Sequence, residues 1–246
     1  ENPDRSLALT SLVEGDATAV MTLYLQAVAE RNPLAVFSLL AEGFQAGTLV
    51  LPQGIPDILV DELLLPYEAG MEFVIAVSRN GGWEAVDAAY ANPPTTSEQI
   101  LHPQKYVEGE GAQEVMLDDA SAALGEGWTL VWDSPLGEFY LRSHLETQLS
   151  TRDAENAAAG WGGDRFHIYD NEGLTAWTLR IAWDTPEDRA EFEAFYTEFA
   201  SAKFSGDAEA GCWSGRDAVL CLLETDKDTL IVFAPTLDLA KLLGAA

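Results

Sequence analysis

The stretch LTSLVEGDATAVMTLYLQAV, which begins at Leu9, sets Glu14 and Asp16 on either side of Gly15 in an otherwise apolar segment. At helical spacing, Leu9, Val13, Val20 and Tyr24 form one apolar stripe, and Leu12, Ala19, Leu23 and Ala27 form another. Thr10, Ala17, Met21, Leu25 and Val28 lie on a third stripe, and Glu14 falls among them. Such a helix is expected to be buried on most sides. A carboxylate buried without a partner costs several kcal/mol, comparable with what a whole domain can spare. Glu14 therefore calls for an arginine, a proton or a metal ion. Arg5, or an arginine from the second half of the chain, is one candidate partner for Glu14 and Asp16.

The elements that position these groups can be read from punctuation and periodicity. Residues 5–31 read as one helix and 33–41 as a shorter one, with Pro33 in its first turn. GTLVLPQGIP is a loop or short strand. A helix from about Pro56 is expected to break at Pro66, resume, and stop at NGG after Arg79; WEAVDAAY adds a short helix. Thr95 and Glu98 can form a capping box for a helix that Pro103 ends. VEGEGAQEV is the junction, after which strands appear. GEGWTLVWDS reads as a short strand or an extended approach to a helix. LGEFYLRSHLETQL and TRDAENAAAG look helical, and DRFHIYDNEGLTAWTLRIAW reads as two strands about a DNEG turn. TPEDRAEFEAFYTEFASAKF is a helix capped by Thr185, DAVLCLLETDKDTLIVFAP gives two further strands, and TLDLAKLLG is a last short helix. The expected fold class is α+β: a mostly helical region over 1–107, then a region over 112–246 in which a small antiparallel sheet packs with helices.

Composition narrows the function. The 246 residues are 48% hydrophobic, with ten Phe, seven Trp and seven Tyr, enough for a real core. Forty-one acids against 13 bases give a formal charge of −28. No basic stripe exists to meet phosphates, so nucleic acid is excluded as a partner. No charge-free apolar run is long enough to span a membrane. The opening ENPDRS looks like a processed, trimmed or cloned start. Cys212 and Cys221 flank an SGRD turn, where a hairpin would bring them together. A disulfide and a pair of buried free thiols are both open, and a disulfide would suggest an oxidising compartment. GWGGD at 160–164 lacks the lysine of a phosphate loop and reads as a tight turn, with Trp161 packed inside and Asp164 capping or pairing nearby. The acids of DTPEDRAEFE form no calcium loop and read as a solvated helix face. His144 on a helix and His167 on a strand read as structural.

ALTSLVEGDATAVMTLYL resembles the helix that supplies the glutamate ligand in gluzincin-type zinc metallopeptidases. It is more closely similar to a group of predicted secreted proteins in which a His-Glu-x-x-His helix precedes a segment ending A-L-x-E-G-D-A. GGWEAVDAAYANPPTTSEQILHPQKY and AAAGWGGDRFHIYDNEG fit the same group, and the resemblance runs from about residue 5 to residue 200. It implies that Glu14 is the third zinc ligand, that Gly15 allows close helix approach, and that Asp16 orients a ligating histidine. It gives His102 the role of a proton donor, or Tyr106 that of an oxyanion stabiliser, in a complete enzyme; read alone, His102 caps a turn. The chain departs from the pattern in one respect. Its three histidines, His102, His144 and His167, form no His-Glu-x-x-His motif. Zinc is thus expected in a full-length relative and not in this chain alone, which should not hydrolyse peptides by itself. The expected setting is secreted or at the cell surface, with a peptide or protein partner. The alternative is a non-enzymatic extracellular binding or scaffolding module, or a plain structural domain of an envelope-associated protein.

Overall fold

The computed structural model describes residues 2–32, 54–206 and 208–245, apart from the Glu224 side chain. The expected helix over 33–41 lies outside them, as does most of GTLVLPQGIP. The chain divides into two compact units, one of Arg5–Thr95 with Gln99–Glu110 and one of Glu1–Asp4, Thr96–Glu98 and Gly111–Ala246. The fold class is α+β.

In the helical unit, α1 spans Pro3–Arg31 and α2 spans Asp57–Ala91. α2 continues through Pro66 without a helical break, contrary to expectation. A proline inside a helix costs about 3 kcal/mol, and the burial of Phe73, Val74 and Val77 on the same helix offsets it. The NGG stop appears as a kink, with Gly81 and Gly82 non-helical between two helical pieces. The core here is Ala8, Leu12 and Ala19 of α1 against Phe73, Val74, Val77, Val86 and Ala89 of α2. α1 is not buried on most sides. Leu9, Val13, Val20, Met21, Leu23 and Tyr24 are all exposed. The buried stripe runs through Leu7, Ala8, Ser11, Leu12, Gly15 and Ala19, and α2 meets it at Gly15 and Ser11 through Gly70. After α2 come α3, Ser97–Leu101, and α4, Pro103–Glu108, which was not anticipated. The Thr95 capping contact is made with Gln99 in place of Glu98: the Thr95 N–H donates to Gln99 Oε1 at 2.7 Å.

The sheet unit holds β1 Thr129–Ser134, β2 Trp161–Asn171, β3 Leu174–Trp183, β4 Cys212–Ser214, β5 Val219–Glu224 and β6 Thr229–Ala234. They form one antiparallel sheet of order β1-β2-β3-β6-β5-β4. Its helices are α5 Ser121–Leu124, α6 Glu138–Glu146, α7 Thr151–Ala158, α8 Pro186–Phe204 and α9 Leu237–Ala245. Strand alternation sends Leu179, Ile181, Leu220 and Ile231 to one face, against Leu141, Ala157, Phe192 and Phe199 of α6, α7 and α8. It sends Tyr169, Ala176, Val219 and Val232 to the other, against Leu124 of α5 and Ala240 and Leu243 of α9. GWGG is not a turn: Trp161, Gly162 and Gly163 begin β2 at a bulge, and Trp161 is buried. Thr185 caps α8, accepting from the Asp188 N–H at 3.2 Å.

Cys212 and Cys221 face each other across β4 and β5 and are bonded. By limiting the unfolded chain, a loop this short contributes about 2–3 kcal/mol. Replacing both cysteines with serine is expected to lower the melting temperature by several degrees in thermal melts. An unchanged midpoint would show that β4 is held without the bond.

Candidate functional site

Within the helical unit, Glu14 and Asp16 stand about half a turn apart on α1 and both are half-buried. Gly15 between them lies against the backbone of Gly70: a Cβ on Gly15 would fall 2.1 Å from the Gly70 carbonyl carbon. That close crossing is what lets two carboxylates occupy an apolar helix, since each projects to one side of the contact. Asp16 Oδ2 accepts from the Tyr90 hydroxyl at 2.8 Å. Partial burial, with the Asp16 charge beside it, pushes the Tyr90 phenol up to about 12. Within the helical unit, no described arginine or lysine pairs with Glu14 or with Asp16. Glu14 is flanked by exposed Val13 and Ala17, with Met21 two turns on.

His102 and Tyr106 belong to the same unit. His102 is the residue before α4; its side chain does not cap that helix, and its carbonyl closes the first turn by accepting from the Lys105 N–H at 2.9 Å. The Tyr106 hydroxyl donates to the Asn92 carbonyl at 2.8 Å, its ring packs edge-on against Phe73, and burial raises its pKa. These contacts make Tyr106 a clamp between α2 and α4. No converging group of three or more His, Cys, Asp or Glu side chains among the described residues includes Glu14. No peptide-cleavage step is assigned to Glu14.

A different set of acids lies inside the sheet unit. Asp4, Glu138 and Asp164 are each no more than 5% exposed. Asp164 Oδ1 accepts from the Leu136 N–H at 2.6 Å, and Oδ2 accepts from the Gly137 N–H at 2.8 Å and from Trp161 Nε1 at 2.7 Å. Ser97 Oγ accepts from the Phe139 N–H at 3.1 Å, and Asp4 Oδ1 accepts from the Ser97 N–H at 3.0 Å. The start of α6 is thus capped by side chains remote in sequence, which satisfy N–H groups that a helix cannot satisfy itself. Gly137, at φ 88°, leaves room for Asp4: a Cβ there would fall 2.1 Å from Asp4 Oδ1. Burial pushes the Asp4 carboxyl up to about 7 against its Ser97 hydrogen bonds, with repulsion from Asp164 and Glu138 adding to the rise. Burial likewise pushes Asp164 up to about 6 despite its three donors.

On the other face of the sheet, His167 Nε2 meets Asp133 Oδ1 at 2.8 Å and Nδ1 meets the Tyr169 hydroxyl at 3.1 Å. Asp133 also pairs with Arg165, which holds its carboxyl below the ordinary value. The Tyr169 hydroxyl accepts from the Ala120 N–H at 3.1 Å and is fully buried. The chain of groups runs from partly exposed Asp133 to buried Tyr169 and fixes the His167 ring from both sides. His144 is half-buried, with its ring against Phe199, Trp177 and Tyr196, and desolvation pushes its pKa down to about 4. Both histidines are structural.

Sequence reasoning missed Asp4, Ser97 and Asp133. Their partners lie tens of residues away, and no local spacing announces them. Asp164 alone carried a signal, as a capping candidate.

A family model described as "Domain of unknown function (DUF8575)" matches residues 109–243, more than half of the chain. The match covers the sheet unit's continuous part and leaves out Glu14, Asp16, His102 and Tyr106. No curated protein and no solved structure matches the chain.

Proposed function

We take as premise that the chain belongs to the DUF8575 family, and we propose that it is the supporting portion of a gluzincin-like, secreted or surface protein, in which Glu14 offers a carboxylate to zinc. One observation carries this reading: the half-buried Glu14 carboxylate stands within an exposed apolar face of α1. An apolar helix face fits against another helix. A helix packed there would enclose Glu14, and enclosure calls for a cation. The resemblance of ALTSLVEGDATAVMTLYL to the glutamate-bearing helix names that cation as zinc, with imidazoles as its other ligands. When bound, the ion would polarise a carbonyl and activate water. The part played by this chain is limited to presenting Glu14. Asp16, tied to Tyr90, is available to orient a ligand only through the oxygen that Tyr90 leaves free. The Cys212–Cys221 bond supports an oxidising setting outside the cytoplasm. Among the described residues no helix is long and apolar enough to cross a membrane.

The test is made on the complete gene product. Glu14→Gln is expected to lower zinc content, read by elemental analysis, together with any peptidase activity. Unchanged zinc and unchanged activity would overturn the ligand assignment.

A second reading, a non-enzymatic extracellular binding module, is favoured by an apolar depression of about 340 Å³ in the sheet unit. It is lined by Trp132 and Pro135 on or just after β1, Phe166 and Ile168 on β2, and Tyr140 on α6. Trp132 and Val131 are exposed on this edge strand, whose free backbone groups can pair with an extended peptide. A complete gene product devoid of zinc would favour this reading over the first.

A further inference from the structure

Arg165 on β2 and Arg180 on β3 are directly opposite each other in the antiparallel register. Directly opposed side chains share a face and lie about 5 Å apart, and like charges so placed repel. Each arginine therefore needs an anion. Arg165 has one in Asp133. Arg180 has none among the described residues. The other half-buried arginines of this unit are all matched: Arg142 with Glu146 and Glu155, and Arg189 with Glu193 and the Thr225 carbonyl. Arg180 is half-buried too, and its Nε is sealed from solvent with no hydrogen-bond partner. In a chain with 41 acids and 13 bases, an arginine held in the sheet without an acid is the exception. Two positions earlier on the same face, Thr178 keeps its hydroxyl buried beside that of Tyr169 without a well-aligned hydrogen bond.

We propose that Arg180, with Arg165 opposite it, binds a small oxyanion: a carboxylate or phosphate group on a soluble ligand. The guanidinium is a planar fork of donors matched to two oxygens of such a group, and it stays charged at every working pH. Asp133 occupies Arg165 from the β1 side, which leaves the Arg180 side of the pair for the ligand. The acidic surface repels long polyanions, because their many charges are felt at a distance. A single oxyanion pays little of that repulsion once it contacts a guanidinium directly. This site lies in the family-matched part of the chain and does not depend on the zinc reading of Glu14.

The test follows the Arg Nε–Hε signals of the whole chain by NMR during separate titrations with inorganic phosphate and with acetate. Saturable movement of the Arg180 signal is expected with at least one of the two, and the stronger response identifies the ligand class. Arg180→Gln, checked for folding by thermal melting, is expected to weaken binding about tenfold or more. Arg216→Gln, at an exposed position, should leave binding unchanged. If neither anion moves the Arg180 signal saturably at millimolar concentration, the proposal fails. It fails equally if Arg180→Gln binds as tightly as the unaltered chain. Should that variant not fold, the titration of the unaltered chain decides alone.

Discussion

Asp4→Asn is expected to stabilise the protein at pH 8 by a few kcal/mol and to change it little near pH 4. The Asp4 carboxyl has a folded-state pKa of about 7 against an ordinary 3.8. A raised carboxyl binds its proton more tightly in the folded chain. The stability it contributes is full below about pH 4 and is lost as pH rises through about 7. At pH 8 the folded chain holds a buried carboxylate faced by Asp164 and Glu138, both of which disfavour its charge. Each pKa unit is worth about 1.4 kcal/mol, and three units bound the effect at roughly 4 kcal/mol. Asparagine keeps the acceptor for the Ser97 N–H and removes the charge. Asp164, raised to about 6, adds a smaller slope in the same direction over a slightly lower window. The high net negative charge also lowers stability as pH rises, so the informative quantity is the difference between the two proteins. Denaturant titrations from pH 4 to pH 8 check it. Parallel pH profiles for the unaltered chain and Asp4→Asn would show that the buried carboxyl does not carry the effect.

Gly15→Ala is expected to destabilise the helical unit by about 3 kcal/mol or more, although alanine is the better helix former. Propensity alone predicts a gain of about 1 kcal/mol in a helix interior. Packing predicts the opposite sign. An added Cβ would meet Gly70 backbone atoms at 2.1 and 2.2 Å and the Met71 nitrogen at 2.7 Å. No rotamer relieves a clash with backbone, so α1 and α2 must move apart, and Phe73 and Leu12 lose contact with their neighbours. Gly70 is equally constrained, its own Cβ position lying 2.3 Å from the Ser11 carbonyl oxygen. Gly111→Ala, where nothing lies within 4 Å, serves as a neutral control. Thermal melts and far-ultraviolet circular dichroism of both variants check this. A more stable Gly15→Ala protein would mean that the helices do not cross at this glycine.

Elements with strong local signals were legible. The Thr185 cap and the acids of its first turn announced α8, and the DNEG turn at 170–173 announced the β2–β3 hairpin. Both depend on neighbours within a few residues. Pro66 was misread because a local rule met a tertiary gain, and α4 was missed because six residues carry too little periodicity. The exposure of α1 was misread for a related reason. Apolar residues on every side of a helix state what it can bury; they do not state what is present to cover it. Of the candidate site, the position of Glu14 on an apolar helix was readable from its type and spacing, and the value of Gly15 for a close helix approach followed from the family resemblance. The pairing of Asp16 with Tyr90, 74 residues away, was not.

The chain's composition and periodicity determined an acidic α+β protein, with helices first and an antiparallel sheet after them, because charge, amphipathic period and turn chemistry are local properties. Only the tertiary structure decided which carboxylates lie together in the core, which half-buried arginine of the sheet lacks an acid among the described residues, and which face of α1 is exposed. Those outcomes rest on contacts between residues far apart in sequence, and each is set by the packing of whole elements and not by the residues beside it.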